Sequence, residues 1–374
     1  MNPLAITAFT ATSALGAGLE SHRRALAEAR GGLRPCDFEE VDLETWIGRV
    51  PELESLTLPT SLAAWDCRNN RLAWLGLGQD GFMDALEQAR ARYGSDRIGV
   101  FIGTSTSGVE QTERAYAARD ANGALPGWFD YRRTQNTFSL AAFLLEALDL
   151  QGPAQVVSTA CSSSAKVFAT AARHIQAGVC DAALVGGVDS LCRMTLYGFN
   201  SLQLVSAEPC RPADAERDGI SIGEAAGFAL LEADREAPFR FLGCGESSDA
   251  WHMSSPHPEG EGAARAMQAA LAEAGLAPDE IDFIHLHGTG TPANDLAEDR
   301  AVCRLFGNRT PCASTKGFTG HTLGAAGILG AVIGLLAIEQ GNLPPSLNTR
   351  RLDPRLEARY QLQPEAARVR RVLV

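Results

Sequence analysis

Three short clusters in this 374-residue chain carry side chains from which thioester chemistry could be built. The first is Cys161, in the run STACSSSAKV at 158–167. Cys161, Ala165, Phe168, Ala172 and Ile175 recur at steps of four and three, which predicts a helix over 161–177 ended by Gly178. The thiol then sits in the first turn, where unpaired N–H groups and the helix dipole stabilise thiolate and lower its pKa from about 8.5. The alternative is a small core cysteine at the end of an apolar stripe.

The second cluster, HLHGTGTP at 285–292, closes an apolar run, so His287 is expected where a strand passes into a Gly-rich loop. His285 and His287 lie two apart on one strand face, a spacing that also permits a metal, but no Cys or carboxylate with matching ligand spacing completes the set. Asp295, Glu298 and Asp299 follow on a predicted helix and read as a solvated or salt-bridged face. The third cluster, STKGFTGHTLGAAG at 314–327, sets Lys316 and His321 five apart before a small-residue helix that runs to Ile338. Taken singly, Lys316 reads as a surface lysine and His321 as a capping or core histidine. Together, a thiol, two neutral imidazoles and a cation suit a decarboxylative condensation. The thiol holds an acyl group, Nε2–H groups stabilise the enolate left when a malonyl thioester loses carbon dioxide, and the carbanion attacks the acyl-cysteine. That chemistry requires no metal and no organic cofactor.

These residues need an α/β framework to bring them together. Short apolar runs at 97–103, 154–159, 182–187, 227–232 and 281–288 alternate with helical stretches, and a polar seam at 231–239 divides the chain into expected halves, 1–235 with Cys161 and 236–374 with His287, Lys316 and His321. With 45% apolar and 21% charged residues the chain has ample material for a core. A net charge of −12 argues against broad attraction to nucleic acid or anionic lipid. The stretch 1–19 lacks the basic flank of a signal peptide, and the apolar run Leu323–Ile338 is Gly-rich and short of the roughly 20 residues a membrane span needs, so it is expected to be a buried helix. Nine cysteines without a CxxC pair point to reduced thiols and a cytoplasmic location.

The ordered set GVFIGT at 99–104, STACSSSAKV, CRPADAERDG at 210–219, HGTGTP with Asp295 and Glu298, and STKGFTGHTLGAAG resembles the β-ketoacyl-acyl-carrier-protein synthases, the elongating condensing enzymes of fatty-acid and polyketide assembly. The resemblance implies that Cys161 is the nucleophile and that His287, Lys316 and His321 complete the catalytic set. It implies a thiolase-like fold of two similar halves, each with a mixed five-stranded sheet, in alternating helix and sheet layers. A dimer, of like chains or with a related ketosynthase subunit, is expected across an edge strand, placed here at AQVVST (154–159). The substrates would be acyl and malonyl thioesters on an acidic acyl carrier protein, for which Arg68, Arg71, Arg132 and Arg133 are the proposed landing cations.

The sequence departs from that pattern in three places. Gly330 stands where many relatives carry a glutamate, and Ala213 where an aromatic is commoner. The Gly-rich loop and final strand that usually follow a segment like RVRRVLV are not in the sequence, which reaches Val374 before them, so the C-terminal half is expected to lack that strand and one oxyanion-hole donor. Two rivals fit less well. A noncatalytic chain-length-factor-like partner subunit characteristically replaces the nucleophilic cysteine, and a degradative thiolase uses a second cysteine near its C-terminus.

Overall fold

The computed structural model describes residues 2–233, 235–252 and 255–374. Its larger sheet is built on β1 (Leu4–Ser13), β2 (Ile98–Gly103), β3 (Ala154–Val157), β4 (Ala182–Asp189), β5 (Ala225–Glu232) and β6 (Phe239–Phe241), in the order β6-β1-β5-β4-β2-β3, with the short strand Gly16–Ala17 as a seventh beside β1. β2 runs parallel to β3 and β4, while β5 is antiparallel to both β4 and β1. A smaller sheet contains β7 (Phe283–His285), β8 (Pro311–Ala313), β9 (Arg359–Tyr360) and β10 (Val372–Leu373), in the order β9-β8-β7-β10, all parallel. The sheets thus have seven and four strands where five in each was expected. β6, just past the expected seam at 235/236, turns back to pair with β1 in the first sheet.

Apolar residues cover both faces of the first sheet, which is why its strands read as continuous runs rather than as alternating ones. Along β2, β4 and β5, Val100, Ile102, Leu184, Val188, Ala226, Phe228 and Leu230 face one core, while Phe101, Ala183, Val185, Ala225, Ala229 and Leu231 face the other. The outer core is closed by α1 (Arg68–Leu77), α2 (Phe82–Tyr93) and α3 (Ser139–Ala147). The inner core is closed by α4 (Ser163–Gln176) and by the helix Ala326–Gln340. On the far side of the second sheet lie α5 (Glu261–Ala274) and α6 (Pro292–Phe306). The order across the molecule is helix, sheet, helix, sheet, helix, the layering the resemblance implies.

The central layer accounts for the apolar run at the third cluster. A four-residue helix α7 (Lys316–Thr319) and a single turn at Leu323–Ala325 lead into α8 (Ala326–Gln340). By length and hydropathy Leu323–Gln340 could cross a membrane, but here it lies between two sheets, with Ile328, Val332, Ile333 and Leu336 wholly buried. Small residues bring this layer close to its neighbours. A methyl group on Gly103 would stand 2.4 Å from Ser164 N, and one on Gly327 would stand 2.4 Å from Ala165 N, so β2 and α8 both touch the start of α4 without side chains between.

Candidate active site

The catalytic candidates all sit beyond the carboxyl ends of parallel strands, β3 for Cys161, β7 for His287 and β8 for Lys316. Cys161 does not lie in the first helical turn: α4 begins at Ser163, and the thiol belongs to the sharp turn before it, where Ala160 has a φ of 52°. Such a left-handed conformation costs energy for a residue with a Cβ and needs support from its surroundings. The serines of the motif supply it. Ser163 Oγ donates to Ala160 O at 2.6 Å and accepts from Thr159 N at 2.9 Å, and Ser162 Oγ donates to Thr159 O at 2.9 Å. Ser164 Oγ accepts from Ile328 N at 2.9 Å, tying the turn to α8.

The donor atoms of Cys161, His287 and His321 lie within 4.8 Å of one another. The two imidazoles meet edge to face, with centroids 5.2 Å apart and an interplanar angle of 85°. Cys161 and His287 keep partial exposure, as a site open to substrate requires, whereas Lys316 and His321 are buried. The cluster has enough soft donors for a metal, but the Lys316 ammonium 3.4 Å from His287 Nδ1 opposes a divalent cation. The metal reading through His285 and His287 separates as well: His285 turns to Thr315 at 2.8 Å, and His287 joins Cys161.

Hydrogen bonds assign the ring protons. His321 Nδ1 accepts from Leu323 N at 3.1 Å, which leaves its proton on Nε2. Lys316 donates to the His287 main-chain carbonyl and lies against His287 Nδ1, which leaves the His287 proton on Nε2 too. Desolvation and the Lys316 charge hold both imidazoles well below the usual histidine range, so they are neutral. Desolvation also lowers Lys316, against the attraction of Glu298. The thiol departs from the sequence expectation. Burial raises Cys161 above its ordinary value, outweighing the downward pull of Lys316 and of its own backbone amide.

The carboxylates after His287 do not form a solvated face. Glu298 accepts from His287 N and Gly288 N at 2.6 and 2.7 Å, fixing the loop that carries the histidine. Buried Asp295 accepts from Ala213 N at 2.9 Å and pairs with Arg217 at 3.2 Å, and Asp299 accepts from Glu357 N and Ala358 N. Ala213 itself is buried at a φ of 65°, so the position that departs from the family's pattern serves the main chain around Asp295. Asp189 was not anticipated. At the end of β4, wholly buried, it accepts from Thr104 Oγ1 at 2.6 Å, Thr106 N at 2.9 Å and Gly324 N at 2.6 Å, joining the loop after β2 to the His321 segment. The signal available in the sequence was an acid closing the apolar strand AALVGGVD.

The four arginines proposed as landing cations divide into two pairs. Arg68 is 10% exposed, and its guanidinium reaches Glu224 at 2.7 Å and Glu54 at 2.6 Å, so its charge is spent inside the fold and not on a surface. Arg71, 28% exposed, is paired with Asp66 at 2.5 Å. Arg132 and Arg133 lie exposed on the turn Tyr131–Gln135, with Arg133 bonded to Asp130 at 3.1 Å. Glu224 is wholly buried and also accepts from Val50 N and Leu191 N, both at 2.9 Å. Arg68→Ala would leave that carboxylate without its counter-charge, and is expected to cost about 3–5 kcal/mol in urea unfolding. A midpoint unchanged from the parent protein would show that the pair contributes nothing.

Two family profiles match the chain: "Beta-ketoacyl synthase, N-terminal domain" over residues 77–237 and "Beta-ketoacyl synthase, C-terminal domain" over residues 239–350. The chain is 38% identical over 297 residues to 3-oxoacyl-(acyl-carrier-protein) synthase 2 of Rhizobium meliloti (strain 1021), covering 74% of this chain and 69% of that protein. It is 36% identical over 290 residues to Nodulation protein E of Rhizobium sp. (strain N33), covering 74% and 71%. Among solved structures it resembles the ketosynthase ApeO, in complex with its chain length factor ApeC, from Xenorhabdus doucetiae, with a TM-score of 0.88 and 38% identity over 97% of this chain and 92% of that one. The profiles, the sequence relatives and the layered fold agree, and the chain belongs to the beta-ketoacyl synthase family.

Proposed function

We propose that this protein catalyses the decarboxylative Claisen condensation of an acyl-cysteine with a malonyl group on acyl carrier protein, giving a 3-oxoacyl carrier protein. The observation that carries the proposal is the pair of neutral imidazoles, both with Nε2–H free, in one cluster with the Cys161 sulfur. In the first half-reaction Cys161 attacks the acyl thioester carbonyl. The carrier thiol leaves, and the proton lost by Cys161 ends on it. The raised thiol pKa keeps Cys161 protonated at rest, and the Lys316 cation favours the thiolate as it forms. In the second half-reaction the bond between the malonyl methylene and its carboxylate breaks, and carbon dioxide departs. The remaining electron pair becomes an enolate whose oxygen accepts from His287 Nε2–H and His321 Nε2–H. Its carbon attacks the acyl-cysteine, a carbon–carbon bond replaces the carbon–sulfur bond, and the Cys161 thiolate is reprotonated.

Retention of Cys161 supports this reading over a noncatalytic partner subunit. The partner question concerns a second chain. Among the described residues β3 is the last strand of its sheet, with one edge unpaired, which supports a dimer formed there, with a like chain or with a chain-length-factor-like one. The exposed Arg132 and Arg133 support docking of an acidic carrier protein near α3, and nine free cysteines support a cytoplasmic setting. The test is to mix the protein with acyl- and malonyl-loaded carrier protein. A Cys161 acyl adduct by intact mass, followed by carbon dioxide and 3-oxoacyl product, is expected. A protein that takes up no acyl group and releases no carbon dioxide, alone or with a ketosynthase-like partner, would sink the proposal.

A further inference from the structure

His285 is a buried imidazole that the chemistry above does not use. It ends β7, two residues before His287, with its Nε2 2.8 Å from the hydroxyl of Thr315, the residue preceding Lys316. Its ring lies against α8 at Gly330. A methyl group on Gly330 would stand 2.9 Å from His285 Nδ1, 2.9 Å from Val374 Cγ1 and 3.1 Å from His285 Cε1, so both the ring and the Val374 side chain would have to shift. The imidazole and Val374 therefore share the space that a side chain at 330 would take. Lys316 meanwhile donates to the His287 carbonyl and lies 3.4 Å from His287 Nδ1, so the turn that bears Thr315 also sets the group that fixes the His287 tautomer.

We propose that His285 is a positioning residue of the condensing site: wedged between Gly330 and the Thr315 hydroxyl, it holds the 314–316 turn so that Lys316 stays on His287 and keeps the His287 proton on Nε2. This rests on the reading of His287 as an enolate-stabilising donor. Were the turn to relax, Nδ1 would lose its donor, the ring could place its lone pair on Nε2, and the enolate oxygen would meet an acceptor instead of a donor. Burial and the Lys316 charge push His285 down to about 3, so it acts by shape and one hydrogen bond, without a charge of its own. The charged and titratable groups acting on Lys316 are Glu298, Asp295, Cys161 and Cys210, and its charge is felt by His285, His287 and His321.

The readouts are malonyl-carrier-protein decarboxylation kinetics and the ring-nitrogen NMR signals of the seven histidines. In the parent protein His287 should report the Nε2–H tautomer. His285→Ala is expected to mix the two His287 tautomers and lower the decarboxylation kcat about 10- to 100-fold, with KM within about twofold, because geometry and not binding is lost. His285→Gln, which keeps a hydrogen-bonding group toward Thr315, should recover most of the rate. Gly330→Ala should also lower kcat by displacing the ring. A folded His285→Ala protein with parental kcat and unchanged His287 signals overturns the proposal. If His285→Ala does not fold, Gly330→Ala decides: parental kcat in that variant overturns the proposal equally. Undiminished decarboxylation in His287→Ala would instead overturn the underlying reading, so the two failures are distinguishable.

Discussion

Cys161→Ala is expected to abolish condensation, by ~10³-fold or more, while the protein still releases carbon dioxide from malonyl carrier protein. The sulfur is the only part of Cys161 that the substitution removes, and the turn around it is held by Ser162, Ser163 and Ser164 through bonds that do not involve Sγ. The variant should therefore fold as the parent does. Without a nucleophile no acyl-enzyme forms, so intact mass should show no adduct after incubation with an acyl thioester. The imidazoles and Lys316 remain, and enolate formation needs them and not the thiol. Condensation at the parental rate in Cys161→Ala would remove the nucleophile from position 161. Loss of decarboxylation together with condensation would mean that the two half-reactions are not divided between thiol and imidazoles in the manner described.

His321→Ala and His287→Ala are each expected to lower carbon dioxide release by ~10²- to 10³-fold, the usual effect of removing one preorganised donor to a developing oxyanion. Acylation of Cys161 should persist in both. The donors act as neutral Nε2–H groups, and this has a consequence for pH. Each imidazole is held well below the ordinary histidine value, so it stays neutral as pH falls through 6.5 and takes a proton only in more acidic solution. Decarboxylation measured at saturating malonyl carrier protein should thus show no acid limb centred near 6.5. A limb there, lost in His287→Ala or His321→Ala, would show that the corresponding ring titrates as a solvated histidine.

The motif residues were legible because thiol, imidazole and ammonium groups are few, and each stood beside a glycine- or serine-rich turn. The helical periodicity of 161–177 placed α4 correctly but set its start two residues early, since the apolar stripe runs past the cap into a turn fixed by serine hydroxyls. The carboxylates misled for a physical reason. Asp295, Glu298 and Asp299 follow the spacing of an exposed helix face, yet they turn inward to accept main-chain N–H groups, Asp295 and Asp299 from segments far along the chain and Glu298 from the loop just before the helix. Arg68 misled in the same way: its partner Glu224 is 156 positions away, and nothing near Arg68 announces it.

Residue types and their order sufficed to name the groups that are candidates to react and the alternation of strands and helices. Protonation and direction came from the assembled molecule. The imidazoles are neutral, the thiol is raised and both free N–H groups lie on Nε2 because layers distant in sequence exclude water and present Lys316 and Leu323 N to particular ring atoms. Desolvation and hydrogen bonding act through space, over a few ångströms, and a linear pattern carries no record of which atoms the folded chain brings within that range.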